Sequence, residues 1–186
     1  MAKREFKTVE EHLYWSYANL AMAHSAVTEN QIKYKQINYI IRSRLYSGLV
    51  KGTMNIASLL DDEKLKLNMP KSCCYCGSED KLSIDHLIPQ KKGGQHTGDN
   101  FVWACKSCNS SKHALDMLEW MSKKEIFPPL LLLRRYMKVV VEYCTENKLM
   151  DIQLEKVPNL PFSLQHIPHK FPAPKDLILW IKPKEN

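Results

Sequence analysis

Apolar residues recur every three or four positions through the first part of the chain, which is the period of an amphipathic helix. The segment Thr8-Val-Glu-Glu11 has the form of a capping box, and the apolar period after it predicts a helix over about 9–27. The same period predicts a second helix over 32–49 and a third, shorter one over 57–67. The chain is therefore expected to begin with an all-helical part.

The pattern changes at residue 72, where cysteines, glycines and short β-rich pieces replace the helical period. Residues 82–84 and 101–103 are strand candidates, and the Gly- and Lys-rich loop between them predicts a hairpin with a long connection. Short helices are predicted to follow over 106–113 and 115–124.

A longer helix is predicted from Pro128-Pro129 to about Tyr143, and the repeated prolines from Pro158 onward predict an extended tail over the body of the molecule. These changes divide the chain into three parts: an N-terminal helical segment over 1–71, a central module over 72–125, and a C-terminal helix with a Pro-rich tail over 126–186. The expected fold class is α+β.

The composition is that of a globular protein, because apolar residues make up 44% and charged residues 25% of the chain. Its apolar runs are far shorter than the roughly 20 residues that a membrane span needs. The charged start of the chain has no apolar stretch behind it, so no secretory signal is expected. We therefore expect a cytoplasmic protein without a membrane partner.

The formal net charge of +7 lies in the flanks of the chain. Residues 1–72 hold 11 Lys and Arg against 7 Asp and Glu, residues 73–125 hold 7 of each kind, and residues 126–186 hold 9 against 6. Positive flanks attract a phosphate backbone, although many proteins that never bind nucleic acid have a similar charge. The charge alone favours a nucleic-acid partner only slightly.

Two Cys-x-x-Cys pairs, Cys73 with Cys76 and Cys105 with Cys108, have 28 residues between them. Two such pairs can converge on one tetrahedral zinc ion, and disulfides are rare in cytosolic proteins. We therefore predict a structural Zn²⁺ site. Cys74 leaves the first pair open, since it could take the place of Cys73 as a ligand.

Between and just after the two pairs the chain contains Asp85-His86, Gly93-Gly94, Asp99-Asn100 and Asn109 to His113. The His, Asp and Asn side chains among them are suited to phosphodiester hydrolysis. In the order and spacing of these residues the segment resembles the HNH, or ββα-metal, nucleases. The resemblance covers about 50 of the 186 residues. It implies a ββα-metal core with a structural zinc, placed between the N-terminal helices and the C-terminal helix with its tail.

The resemblance assigns a catalytic role to several of these residues. His86 is the expected general base, because a neutral imidazole can accept a proton from water near pH 7. Asp85 and Asn109 are expected to bind a catalytic Mg²⁺ or Mn²⁺ through oxygen atoms, with His113 as a further ligand. Asn100 is expected to support the loop around His86, and an ordinary turn residue is the alternative reading.

Basic residues in and beside the module are the expected contacts to nucleic acid: Lys112, Lys91, Lys92, Arg134 and Arg135. The loop lysines could equally be solvated surface charges, and an arginine pair on a helix surface is usually solvated. The isolated histidines, His96 among them, are interpreted as exposed or satisfied polar groups. Trp103 and Trp120 are interpreted as packing between the hairpin and the helices.

Taken together, these features predict a metal-dependent endonuclease that cuts double-stranded DNA, with restriction or phage defence as its role. A zinc ribbon that binds nucleic acid without cutting it would explain the cysteines, but not the residues at the family's other positions. A nuclease subunit that acts only beside a partner ATPase or targeting protein is a further alternative. A homodimer, and RNA in place of DNA, also stay open.

Overall fold

The computed structural model describes residues 5–56 and 71–183. Within these ranges it has five α-helices and two strands: α1 (Val9–Thr28), α2 (Gln36–Val50), β1 (Leu82–His86), β2 (Phe101–Cys105), α3 (Lys106–Lys112), α4 (Met117–Lys123) and α5 (Leu130–Glu146). The chain is thus a mixed α and β protein, as expected. The helix predicted over 57–67 lies outside the described residues.

The helix α1 begins where the capping box predicts. The Thr8 hydroxyl accepts a hydrogen bond from the Glu11 backbone N–H at 3.2 Å, which satisfies one of the free donors of the first turn. The Glu11 carboxylate accepts from the backbone N–H of Lys7, one residue before the usual partner. The helix α2 begins at Gln36, four residues later than predicted, and the Asn38 side chain accepts from the Lys35 N–H at its start.

The two strands form one antiparallel hairpin with Leu82 opposite Cys105 and His86 opposite Phe101. Each strand extends two residues beyond its predicted end, so Asp85 and His86 belong to the last part of β1. The long connection between the strands contains two 3₁₀ turns, Gln90–Lys92 and Gly98–Asn100.

The core lies where α1 contacts both α2 and α5. Buried side chains of α5, including Leu133 and Tyr136, pack in one cluster with Leu13 of α1 and with Leu87 and Ile88 of the loop after β1. The hairpin and its loop are therefore supported by the helical flanks and do not stand alone.

The Pro-rich tail runs back over the body of the molecule, as predicted. The N–H groups of Leu130 and Leu131 at the start of α5 donate to the carbonyls of Ile178 and Leu179, each at 3.0 Å. These bonds satisfy helix N–H groups that have no partner within the helix. No helix in the described part of the chain is long and apolar enough to cross a membrane.

Candidate functional site

The two Cys-x-x-Cys pairs converge on one point. The Sγ atoms of Cys73, Cys76, Cys105 and Cys108 all lie within 4.8 Å of one another, and those of Cys76 and Cys105 are 3.7 Å apart. A tetrahedral zinc with Zn–S bonds of about 2.3 Å places its sulfurs about 3.8 Å apart, so this cluster fits a zinc-type site. Within the described residues Cys74 is not part of the cluster, which decides between the two neighbouring cysteines in favour of Cys73.

Local backbone geometry shapes each half of the cluster. Gly77 turns the chain with a positive φ of 77°, and its N–H donates to the Cys73 carbonyl at 2.8 Å. In the other half, the Cys108 N–H donates to Cys105 Sγ at the start of α3. Burial alone would raise the pKa of the Cys105 thiol, but this bond and the neighbouring thiols lower it to about 7. The Cys105 thiolate therefore forms readily at neutral pH, whereas burial raises the pKa of the Cys73 and Cys108 thiols.

Asp85 and Lys112 form a buried ion pair between the end of β1 and the end of α3. Lys112 Nζ donates to Asp85 Oδ1 at 3.1 Å and to the His86 carbonyl at 2.7 Å. The other carboxylate oxygen of Asp85 accepts from the Tyr75 hydroxyl at 2.7 Å. The Lys112 side chain is only 1% exposed, so the pair is shielded from water.

This burial bears on the expected contact between Lys112 and phosphate. In the observed arrangement the ammonium group lies beneath the surface and its hydrogen bonds go to β1. Two of its three N–H groups are used in these bonds, and Lys112 also lines the neighbouring cleft, so a contact to a phosphate there stays a prediction. What the geometry does assign to Lys112 is the attachment of α3 to β1.

One cleft of about 440 Å³ is lined by the four proposed catalytic and metal-binding residues Asp85, His86, Asn109 and His113, together with Lys91 and Lys112. The Asn109 amide nitrogen donates to Ser83 Oγ at 3.0 Å and to the Ile84 carbonyl at 3.3 Å. With the nitrogen attached to β1, the Asn109 Oδ1 atom remains as an acceptor, the kind of ligand that hard cations prefer. His113 lies one residue beyond the end of α3 and is exposed.

Asn100 is fully buried and connects the two ends of the hairpin loop. Its Oδ1 accepts from the Ile88 N–H at 2.9 Å, and its Nδ2 donates to the carbonyls of Ile88 at 2.9 Å and Gln95 at 2.8 Å. A turn residue at the surface would make no such set of bonds. These contacts support a loop-organising role for Asn100, which we retain as a proposal.

His86 pairs with His96, a residue that sequence reasoning set aside. Nε2 of His86 is 3.1 Å from Nδ1 of His96. Both rings also meet Phe101 edge-on, with centroid distances of 4.9 Å for His86 and 4.6 Å for His96. In the sequence His96 is only a histidine in the loop before Asn100. Nothing in the sequence distinguishes it from an ordinary exposed histidine, because the contact with His86 depends on the fold.

The surroundings of His86 favour its neutral form. Burial lowers the pKa of His86, the nearby His96 lowers it further, and the Asp85 carboxylate acts in the opposite direction. A neutral imidazole at neutral pH is the state from which a histidine can accept a proton.

The other basic candidates lie in different surroundings. Lys91 is exposed beside the cleft, whereas Lys92 pairs with Glu119 at 2.9 Å. Arg135 donates to the carbonyls of Asp99 and Gly98, and so holds the hairpin loop against α5. The Arg134 guanidinium lies 6.0 Å from the centroid of the Tyr17 ring. Contacts from these four residues to nucleic acid stay predictions.

The two tryptophans of the module differ from each other. Trp120 is buried and its indole N–H donates to Ser111 Oγ at 3.1 Å, in agreement with a packing role. The packing expectation is wrong for Trp103, which is 39% exposed. It projects from the outer side of the hairpin opposite Ile84, and the Lys71 ammonium lies 4.2 Å from the centroid of its ring.

The module therefore contains a four-cysteine cluster and a cleft that is lined by a histidine, a carboxylate and an amide. The chain matches no curated protein and no solved structure. Residues 73–115 match the family model of the HNH endonucleases, which confirms over this segment the resemblance found in the sequence and indicates a nuclease that acts on nucleic acid.

Proposed function

We propose that the module over 72–125 is a metal-dependent endonuclease that hydrolyses phosphodiester bonds of double-stranded DNA. The observation that carries the proposal is the single cleft lined by His86, Asp85 and Asn109. These three side chains supply the types of group that hydrolysis needs: a neutral base and oxygen ligands for a divalent cation. The choice of DNA over RNA is part of the proposal.

His86 is the proposed general base. It accepts a proton from the water that attacks phosphorus, and its lowered pKa keeps it unprotonated at neutral pH. Its ring is held by the edge-on contact with Phe101 on the neighbouring strand. A base whose ring is fixed in this way does not have to be reoriented for each proton transfer.

Asp85 and Asn109 are the proposed ligands of a catalytic Mg²⁺ or Mn²⁺, with His113 as a further ligand. The donor set fits such an ion: an ionised carboxylate has about four acceptor positions, and Tyr75 and Lys112 use two of those on Asp85. When bound, the ion would neutralise charge on the scissile phosphate and stabilise the departing oxygen. Lys112 holds the Asp85 carboxylate in one orientation at the base of the cleft.

The cysteine cluster has a structural part in the proposal. Its first pair precedes β1, and its second pair spans the end of β2 and the start of α3. A zinc ion held there joins the segments that carry Asp85 and Asn109. Small modules commonly use a metal in this way where the hydrophobic core is limited.

The test is cleavage of supercoiled plasmid by the purified protein with Mg²⁺, Mn²⁺ or EDTA. Nicked or linear product should form with the metals and not with EDTA, and His86→Ala should lower the rate at least about 100-fold. His166→Ala, a change on the Pro-rich tail that does not line the cleft, should leave the rate unchanged. A labelled RNA duplex assayed in parallel decides the substrate class.

Absence of cleavage of both DNA and RNA by zinc-loaded protein would contradict the proposal. DNA binding without cleavage, measured by gel shift on the same samples, would instead indicate a zinc-ribbon binding module. Cleavage restored by adding a cell extract would indicate the subunit that needs a partner ATPase or targeting protein.

We also propose restriction or phage defence as the biological role, and a homodimer as the form that makes paired cuts. Light scattering on the purified protein tests whether it is a homodimer. A monomer that only nicks plasmid would contradict it. The proposed role in defence is tested by asking whether the active protein protects cells from phage and His86→Ala does not.

A further inference from the structure

His96 lies against the proposed base and bonds to one of its two ring nitrogens. The distance between Nε2 of His86 and Nδ1 of His96 is 3.1 Å, and their ring centroids are 5.3 Å apart. No other described residue hydrogen-bonds to the His86 ring. Nε2 is therefore engaged, and Nδ1 is the nitrogen left to accept a proton from water.

Only one arrangement of protons in this pair allows neutral His86 to act as a base through Nδ1. If His86 carries its proton on Nε2 and donates it to His96, its Nδ1 has a free lone pair. If His96 donates instead, neutral His86 must carry its proton on Nδ1, and that nitrogen cannot accept another. The useful tautomer of His86 thus requires an acceptor at His96.

The loop that carries His96 is held firmly relative to β1. On one side, the carbonyl of Gln95 accepts from the buried Asn100 amide at 2.8 Å. Just before it, Gly94 packs so closely on the Ile88 carbonyl that a Cβ at this position would overlap with its oxygen. His96 is therefore placed beside His86 by the backbone, although its own side chain is exposed.

We propose that His96 is a positioning residue that selects the Nε2-protonated tautomer of His86 and fixes the orientation of its ring. The inference rests on the proposed function, because only an enzyme that uses His86 as its base needs that tautomer. The logic is that of any histidine whose second ring nitrogen is held by a hydrogen-bonding partner.

Two variants distinguish the effect of the hydrogen-bond acceptor on His96 from the effect of its aromatic ring. His96→Phe keeps an aromatic ring beside Phe101 but has no acceptor, while His96→Asn supplies a carbonyl oxygen close to the position of Nδ1. We expect His96→Phe to lower kcat about 10- to 100-fold with KM unchanged, and His96→Asn to regain most of that loss. Equal zinc content and melting temperature in both variants serve as the folding control.

A kinetic result of the opposite kind overturns the inference. If kcat of His96→Phe equals that of the wild type, or if KM rises while kcat is unchanged, His96 has no positioning role. A rise in KM alone would make it a contact to the substrate. Failure of His96→Asn to regain activity would show that an acceptor at this position is not what matters.

The tautomer itself can be observed without an activity assay. Ring ¹⁵N–¹H correlation spectra of the zinc-loaded protein should show His86 protonated on Nε2 in the wild type and a mixture of tautomers in His96→Phe. A wild-type His86 protonated on Nδ1 would refute the inference. If His86→Ala is fully active the proposed function fails, whereas an inactive His86→Ala beside a fully active His96→Phe removes only the role of His96.

Discussion

At the scale of single residues, Asp116 is a carboxyl group placed where water cannot reach it. It is 1% exposed, and its Oδ2 accepts from the buried Tyr136 hydroxyl at 2.9 Å. Burial raises its pKa to about 6, although the bond from Tyr136 and the charge of Lys112 act in the opposite direction. The protein therefore favours the protonated form of this residue more than the unfolded chain does.

The raised pKa of Asp116 predicts a loss of stability as pH rises. Between about pH 4 and pH 6 the folded carboxyl keeps a proton that the unfolded chain releases, so the free energy of unfolding falls with pH across this window. In Asp116→Asn this step is absent and an acceptor for Tyr136 remains. We expect wild type to lose roughly 2 kcal/mol relative to Asp116→Asn between pH 4 and pH 7.

Urea unfolding of the two proteins, both loaded with zinc, measures this difference at each pH. Because the same zinc site is present in both, its own pH dependence cancels in the comparison. A difference between the two proteins that is the same at pH 4.5 and pH 7 would mean that the pKa of Asp116 is not raised.

At the scale of elements, the module depends on how α3 is attached to the hairpin. Lys112 makes that attachment with a buried charge, so its loss leaves the Asp85 carboxylate without its cation. We expect Lys112→Met to lower the free energy of unfolding by about 3–5 kcal/mol. Lys106→Met, a change of an exposed lysine on the same helix, should alter it by less than about 0.5 kcal/mol.

The double variant Asp85→Asn with Lys112→Met tests whether this loss of stability comes from the unpaired charge of Asp85. It contains no unpaired buried charge, so it should be more stable than Lys112→Met alone. Chemical denaturation of the wild type, Asp85→Asn, Lys112→Met and the double variant measures the coupling free energy between the two residues. Equal stabilities of Lys112→Met and Lys106→Met would contradict the buried pair.

At the scale of the whole molecule, the helical core and the hairpin are stabilised by different interactions. The helices α1 and α5 contact each other through buried apolar side chains, among them Leu13, Leu133 and Tyr136. The hairpin has only two strands and depends on the cysteine cluster, on α3 and on the loop held by Arg135. Removal of a metal from the cluster should therefore affect the two regions unequally.

We predict that one zinc ion binds per chain, and that a chelator abolishes cleavage and exposes β1 and α3 to fast hydrogen exchange. The amides of α1 and α5 should stay protected, because these two helices contact each other directly through buried apolar side chains. Cys73→Ser should lose zinc, whereas its neighbour Cys74→Ser should retain it. Retention of zinc by Cys73→Ser, or uniform loss of protection over the whole chain, would contradict this division.

Much of the fold could be read from local sequence, because the relevant interactions join neighbours in the chain. The apolar period identified α1, α2 and α5 within a few residues, and the Thr8 cap predicted the start of α1. The strand ends were less well predicted, since Asp85 and His86 do not have the residue types of a typical strand. Spacing also identified the two Cys-x-x-Cys pairs of the cluster, because each pair has its own local turn, but the choice between Cys73 and Cys74 needed the structure.

Only the tertiary structure decided which side chains meet across the loop and the helices. His86 bonds to His96 ten residues away, Lys112 to Asp85 at a separation of 27, and Arg135 to Asp99 at a separation of 36. A basic residue that is buried beside a carboxylate looks the same in sequence as one that faces a phosphate. The sequence by itself determined most of the elements, the two Cys-x-x-Cys pairs and the candidate base, because these depend on local spacing. The choice of Cys73 over Cys74 and the partners of the site residues depended on how the hairpin loop, α3 and α5 pack together.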